Sequence, residues 1–360
     1  MYRFVIVGAG LAGCSMARLL AEKYHEKILV IEKRNHIGGN AYDCYNEDGI
    51  MIHQYGPHIF HTNHDDVYHF LSRFTSWIPY EHHVLSKVND KLVPMPISIE
   101  TINALYDVNY DEHQFEEYIQ SVKIPKKEIL TSEDVVLSQA GIDIYEKLFK
   151  GYTTKQWGVS PAELDASVIS RIPFRNNHDT RYFADKYQGM PKEGYTKMME
   201  QMLDHPCIEI QLQTDFQQVK TKLQYQTLIY TGAIDEYYDY AYGKLLYRSL
   251  RFEFETHPQE SYQEVAVVNY PNDEAFTRIS EFKKMTMQEH PYTTIVKEYP
   301  CFSEEPFYPY PTIENKKNFI PYEEAMKQEK DVYFIGRLAE YRYYNMDAVV
   351  KRALELVETL

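Results

Sequence analysis

The chain has 360 residues, 44% hydrophobic and 25% charged. It is long enough for two or three domains with cores of their own, and too ordinary in composition for a disordered, fibrous or disulfide-stapled class. Its 38 basic and 53 acidic side chains leave a net charge of −15, a field that repels nucleic-acid backbones and anionic lipid surfaces, so any anionic ligand needs a local cationic pocket. Cys14, Cys44, Cys207 and Cys301 contain no C-x-x-C pair, which suits free thiols in a reducing cytoplasm better than disulfides or zinc. No stretch approaches the roughly 18 apolar residues of a membrane span, so neither membrane nor nucleic acid is expected as a partner. One oddity of composition remains, 33 tyrosines against 17 phenylalanines.

In chain order, Phe4 to Val7 reads as a buried strand, Gly8-Ala9-Gly10-Leu11-Ala12-Gly13 follows at once, and Cys14 to Lys23 continues with helical spacing. A lipoprotein-type export signal, with Arg3 ahead of the apolar run and Cys14 behind it, is the competing reading; Gly8 and Gly10 would break the helix that such a signal requires. In the pattern that fits better, Gly8 permits a tight turn, Gly10 lets a pyrophosphate reach the backbone, and Gly13 lets the helix pack on the strand. A second strand, Lys27 to Ile31, ends in Glu32, placed to accept hydrogen bonds from a ribose. Strand, glycines, helix, strand and acid in that order predict a dinucleotide site rather than an ordinary βαβ turn.

Arg34 and Gly38-Gly39-Asn40 follow as a second flexible backbone stretch, resembling the extended fingerprint of FAD proteins related to amine oxidases. Between Ser98 and Lys186 the pattern is helical, with start signals at Ser98, at Thr131 with Asp134, and at Ser160-Pro161 with Glu163. Tyr225 to Gly232 reads as a later strand ending in Thr-Gly. Leu250 to Glu255 alternates strictly, and Val265 to Tyr270, Thr277 to Phe282 and Thr293 to Tyr299 read as partners in an antiparallel sheet. Val332 to Gly336 is again a strand before glycine, and a helix starts near Asn345 or Met346, its positive end suited to the charge of a reduced flavin. The prediction is an α/β chain: a discontinuous Rossmann-like FAD-binding domain (1–75, 188–235 and 320–360), an inserted helical domain (98–187) and an antiparallel β-sheet domain (76–97 and 236–319).

Glu32 to Tyr42, Tyr55-Gly56-Pro57-His58-Ile59-Phe60-His61-Thr62-Asn63 and Gly151-Tyr152-Thr153-Thr154-Lys155-Gln156-Trp157-Gly158 resemble segments of the UDP-galactopyranose mutase family. So do Arg171-Ile172-Pro173, Tyr187-Gln188-Gly189, Tyr247-Arg248-Ser249-Leu250 and Gly336-Arg337-Leu338-Ala339-Glu340-Tyr341, in order through nearly the whole chain. The resemblance implies a cytoplasmic, homodimeric isomerase that interconverts UDP-galactopyranose and UDP-galactofuranose for cell-surface glycans. Its cofactor would be FAD, active when reduced, with flavin N5 attacking the anomeric carbon as UDP leaves.

The resemblance also implies roles. Arg171 and Arg278 match the arginines that hold the diphosphate, and His61 the catalytic histidine near the flavin. Gly8, Gly10, Gly13, Glu32, Arg34, Gly39 and Asn40 fall to the nucleotide part of FAD, and His58, Arg337 and Met346 to its isoalloxazine ring. Phe149 and Tyr152 match the uracil stack, Trp157 an indole near the sugar on a glycine-flanked stretch able to act as a lid, and Tyr182, Tyr308 and Tyr343 the hydroxyls on the diphosphate. Arg248 and His82 complete the substrate residues. Two positions depart from the pattern: Asn345 stands where many relatives have Asp, and His82 where some have Asn, which leaves UDP-galactose, its N-acetylated analogue and UDP-arabinose all open as substrates.

His53, His58, His61, His64 and His69 beside Asp65 and Asp66 admit a metal-cluster reading, but the spacing lacks H-E-x-x-H or a cysteine partner and no metal is expected. Two other functional classes compete: an amine-oxidase-like flavin oxidoreductase with net electron transfer, and a flavin-binding module without catalysis.

Overall fold

Tyr2–Val7 is the centre of a five-stranded parallel sheet in the computed structural model, which describes residues 1–303 and 305–360. The strand order is Ile208–Gln211, Ile28–Ile31, Tyr2–Val7, Tyr225–Tyr230 and Val332–Phe334. Both faces of this sheet are covered, which is why its inner strands are continuous apolar runs: Val5, Ile6, Val30, Leu228 and Ile229 are fully buried. The helices Leu11–Tyr24, Tyr195–Leu203 and Met346–Thr359 pack on one face, and Phe216, Ile234, Leu245 and Tyr322 cover the other. The first helix begins at Leu11, three residues before the predicted start, because Gly10 already serves as its N-cap. The edge strand Ile208–Gln211 and the helix Tyr195–Leu203 are additions to the predicted elements.

The predicted antiparallel strands form a seven-stranded sheet, ordered Tyr308–Pro309, Tyr247–His257, Thr293–Cys301, Arg278–Glu281, Val267–Asn269, Val84–Val88 and Lys91–Met95. One of its pairings, Val267–Asn269 with Val84–Val88, is parallel. A third sheet joins Phe60–Thr62, Tyr187–Pro191 and Trp77–Pro79, with His61 opposite Gln188.

Helical structure starts where the caps predict. Ser98 with Thr101, Thr131 with Asp134 and Ser160 with Glu163 each close a capping box. It ends at Ser170 rather than at Lys186. Beyond it, Pro173 lacks a backbone donor, and Asn177 and Asp179 bond the amides two residues on, at 3.0 Å each, offering the chain turns in place of helix. Among the described residues no helix is long and apolar enough to cross a membrane.

Candidate functional site

Two cavities lie end to end. The first is a groove along the carboxyl ends of the parallel strands, lined by Gly8, Gly10, Glu32, Arg34, Gly39, Asn40, His58, Arg337 and Met346 among the predicted residues. Its floor is backbone. Gly38 donates to the carbonyl of Ala9 at 2.8 Å, which lays the second glycine stretch on the first, and a Cβ at Gly39 would come within 2.8 Å of the Gly10 Cα. Gly13 sits beneath this floor instead of lining it; a Cβ there would run into the carbonyl oxygen of Gly8. Glu32, 6% exposed, accepts the amides of Ala9 at 2.8 Å and of Arg34 at 2.9 Å, and so locks the turn that it follows. The first helix has no side-chain cap at Gly10, so its amino-terminal amides face the groove as an anion-binding end.

Around the mouth of the groove, Arg34 stacks on the Tyr55 ring at 4.1 Å, donates to Asn40 Oδ1 at 3.0 Å and pairs with Glu305. Thr231 and Gly232, after the strand Tyr225–Tyr230, and Gly336, after Val332–Phe334, line the same groove. The donor set fits a flavin dinucleotide: bare glycine backbone and a helix end for the pyrophosphate, and a buried acid for a ribose.

The second cavity, of about 540 Å³, continues from the first. His58, Arg337, Asn345 and Met346 line both. The helix Met346–Thr359 begins at this shared wall, with Asn345 as its N-cap and no cap bond from the Asn345 side chain. Arg171, Arg278, His61, Phe149, Tyr152, Trp157, Tyr182, Tyr308, Tyr343 and His82 all line the second cavity, although they come from five separated stretches of chain.

The charges inside are built against the acidic whole. Arg171 lies 4.2 Å from the centre of the Tyr343 ring, Tyr343 is stacked on Tyr308 at 5.4 Å, and Arg337 sits 4.8 Å from Tyr308, a ladder of guanidinium, phenol, phenol and guanidinium. Arg337 is fixed by the carbonyl of Tyr344 at 2.7 Å. Arg278 donates from Nε to Glu298 Oε1 at 2.7 Å; Glu298 is fully buried, and its other oxygen has no protein partner. This pair engages Nε of Arg278, a residue that lines the second cavity.

The histidines divide. His61 pairs through Nδ1 with Asp185 Oδ2 at 3.0 Å and stacks on Phe183 at 3.7 Å. Burial first, then the charges of His53, Arg337 and Arg278, pushes His58 down to about 3, and burial with Arg278 does the same to His82. Both are neutral at pH 7. His58 Nδ1 meets the Gly56 carbonyl at 2.9 Å, so a neutral ring must carry its proton there and keep a lone pair on Nε2. The five histidines and two aspartates of the metal-cluster reading do not converge: among the described residues no group of three His, Cys, Asp or Glu side chains could hold a metal ion.

One predicted substrate residue falls outside both cavities. Arg248 is 5% exposed and spends its donors on backbone, Nε to the Gln156 carbonyl at 2.7 Å and Nη2 to the Lys155 carbonyl at 2.9 Å. Sequence reasoning missed Asp185, Glu298 and Asn269. Asp185 and Asn269 line the second cavity and Glu298 stands behind it. In Thr293–Cys301 the apolar pair Ile295-Val296 and the charged pair Lys297-Glu298 stand side by side, so no alternation in the sequence marks Glu298 as facing inward.

A parallel doubly wound sheet with a glycine-floored groove, opening into a cavity lined by arginines and tyrosines, defines the dinucleotide-binding class of fold, with a second, cationic cavity beside the groove. Family comparison narrows this. A family model described as UDP-galactopyranose mutase matches residues 147–343, and one described as an NAD(P)-binding Rossmann-like domain matches residues 6–74. The chain is 38% identical to a Klebsiella pneumoniae protein described as a probable UDP-galactopyranose mutase, over 98% of this chain and 93% of that one. It is 36% identical to the dTDP-fucopyranose mutase of Escherichia coli, over 99% and 98%, and 30% identical to the UDP-galactopyranose mutase of Mycoplasma pneumoniae, over 100% and 96%. The chain belongs to the UDP-galactopyranose mutase family, whose members are isomerases. A crystal structure of a reduced UDP-galactopyranose mutase shares the fold at a TM-score of 0.78 and 16% identity, covering 99% of this chain and 93% of that one. An oxidoreductase from Methanosarcina mazei shares it at 0.61 and 12%, covering 99% and 100%, so fold alone does not separate isomerase from oxidoreductase.

Proposed function

We propose that the protein interconverts the pyranose and furanose forms of UDP-galactose, with reduced FAD in the glycine-floored groove and the nucleotide sugar in the cavity beyond it. When bound, reduced FAD supplies N5 as the nucleophile at the anomeric carbon. The observation that carries this reading is the shared wall: His58, Arg337, Asn345 and Met346 border both cavities, so the inner end of one ligand meets the inner end of the other.

The residues of the chain then have separable tasks. Arg171 and Arg278 hold the departing diphosphate and keep it for recapture, as guanidinium groups bind phosphate oxygens bidentately and stay charged. Tyr182, Tyr308 and Tyr343 add donors without adding charge. Phe149 and Tyr152 stack the base, and Trp157, His61 and His82 border the sugar. His58, neutral and with its lone pair on Nε2, offers an acceptor at the junction instead of a positive charge. The amino-terminal end of Met346–Thr359 favours the negative charge of a reduced ring by up to about 2 kcal/mol where partly buried. The same reading assigns 1–75, 188–235 and 320–360 to the cofactor domain, supported by all five parallel strands falling in those ranges, with 98–187 as the helical domain and 76–97 and 236–319 as the antiparallel one.

The near-equal match to the dTDP-fucopyranose mutase favours one second reading, a thymidine-linked 6-deoxyhexose as substrate. Anaerobic incubation of dithionite-reduced protein with UDP-galactofuranose, and separately with dTDP-fucofuranose, decides between them by chromatography of the pyranose product. Many turnovers per equivalent of reductant are expected from an isomerase. Stoichiometric consumption of an electron acceptor, or no ring interconversion by the yellow holoenzyme once reduced, would overturn the proposal.

A further inference from the structure

One wall of the second cavity is the short helix Gly151–Trp157, which presents Tyr152, Thr153, Gln156 and Trp157 to the interior. Its last turn leaves carbonyls without partners inside the helix, as every helix end does. The amide of Gly158, held in the left-handed region at φ 75°, takes the Thr154 carbonyl at 2.7 Å. The next two carbonyls go to Arg248: Lys155 to Nη2 and Gln156 to Nε, with the guanidinium stacked on the Phe302 ring at 4.5 Å. The left-handed backbone, not this contact, favours glycine at 158, since a Cβ there would lie at an ordinary 3.4 Å from Arg248 Nη1.

Two further contacts hold the same helix against the loop 270–276. Lys155 Nζ donates to the carbonyls of Tyr270, Glu274 and Phe276, and a Cβ at Gly151 would collide with the Pro271 carbonyl. Gly151 is therefore a packing position, not a hinge. Arg248 is the contact that ties the helix to the long strand Tyr247–His257, and the Arg248 carbonyl accepts the amide of Phe307, which lines the cofactor groove.

We infer that Arg248 is a positioning residue and not a substrate ligand: it clamps the carboxyl end of the 151–157 helix and so sets the face on which the base and sugar are held. A cation at the negative end of a helix dipole, bonded to two carbonyls whose alternative is burial without partners, is a strong local clamp. The inference rests on the proposed nucleotide-sugar reading for what the wall does, but not for the clamp itself.

The test separates the two. The chain has two tryptophans, Trp77 and Trp157, and Trp77 stacks on Phe60 in the third sheet, away from the cavity. In a W77F background the emission of Trp157 is read in the ligand-free holoenzyme for Arg248, R248K and R248A. The clamp predicts a red shift and stronger acrylamide quenching in R248A and an intermediate change in R248K, which keeps the charge but gathers its donors on one nitrogen and loses the planar fork. It also predicts that affinities for uridine, UMP and UDP fall by one common factor, about tenfold. Unchanged Trp157 emission in both variants overturns the clamp, and so does a loss that grows with the number of phosphates, the mark of a direct diphosphate ligand. If the parent protein binds no nucleotide at all, the substrate reading fails while Trp157 still decides the clamp.

Discussion

The proposed cofactor groove and the proposed substrate cavity are neighbours built by opposite means. The groove is made of main chain: glycines 8, 10, 38 and 39, two helix amino-termini and one buried acid that braces the turn. The cavity is made of side chains, three arginines and four tyrosines brought from residues 152 to 343 by the helical segment, the antiparallel sheet and the stretch after the parallel strand Val332–Phe334. Backbone recognition demands that side chains be missing, and it fails when one is added. Side-chain recognition fails when one is taken away, and leaves the main chain intact.

Four substitutions or conditions test that contrast. The largest effect is expected from Gly13→Val, which drives a side chain into the Gly8 carbonyl beneath the groove; loss of bound flavin and a loss of stability of several kcal/mol, read by absorbance and calorimetry, should follow. A variant that keeps its flavin would erase the distinction between the two sites. Arg278→Ala should do the reverse, leaving flavin content unchanged and lowering turnover roughly ten- to over a hundredfold, in steady-state assays with reduced protein. Glu298→Gln removes the charge that orients Arg278 through a 2.7 Å bond. It should cost about tenfold or less in turnover, and an effect as large as that of Arg278→Ala would mean that Glu298 does more than aim the guanidinium.

The smallest effect is a slope. Burial lowers His53 to about 4, and burial with neighbouring charge lowers His58 and His82 to about 3, all from an ordinary value of about 6.5. The unfolded chain thus binds more protons than the folded one between pH 6.5 and 3, so the stability these rings contribute is full above pH 6.5 and is lost as pH falls through that window. The melting temperature should drop with acid accordingly, and His82→Asn should remove about one proton from the slope. A variant with an unaltered slope would show that His82 already carries its proton in the fold.

The contrast also explains what the sequence could reveal. A main-chain site needs its glycines close together, so the residues Gly8 to Glu32 and Gly38 to Asn40 form one local pattern that physical reasoning reads unaided. The cavity has no such pattern. Arg171 and Arg278 are 107 positions apart by number, each indistinguishable alone from a solvated surface charge, and only the family resemblance picked them out. Where that resemblance was silent, Asp185 and Glu298 went unseen, because a carboxylate that orients another side chain has no sequence spacing of its own. Arg248 shows the converse failure: the motif marks it, but only three-dimensional bonding to Lys155 and Gln156 shows which neighbours it serves. Helix caps were legible at Ser98, Thr131 and Ser160 since each is settled within four residues. The irregular run from 171 to 186 was not, because its apolar spacing suits a helix while Pro173 and the Asn177 and Asp179 turns decide against one.

A partition held in common by two chambers couples their occupants. On the proposed function, coenzyme and sugar nucleotide both rest on the wall formed by His58, Arg337, Asn345 and Met346, so each completes the surroundings of the other. Apoprotein should therefore capture sugar nucleotides poorly, whereas a seated sugar nucleotide should slow escape of the coenzyme beneath it. Thermodynamic reciprocity makes these one coupling free energy measured from two sides.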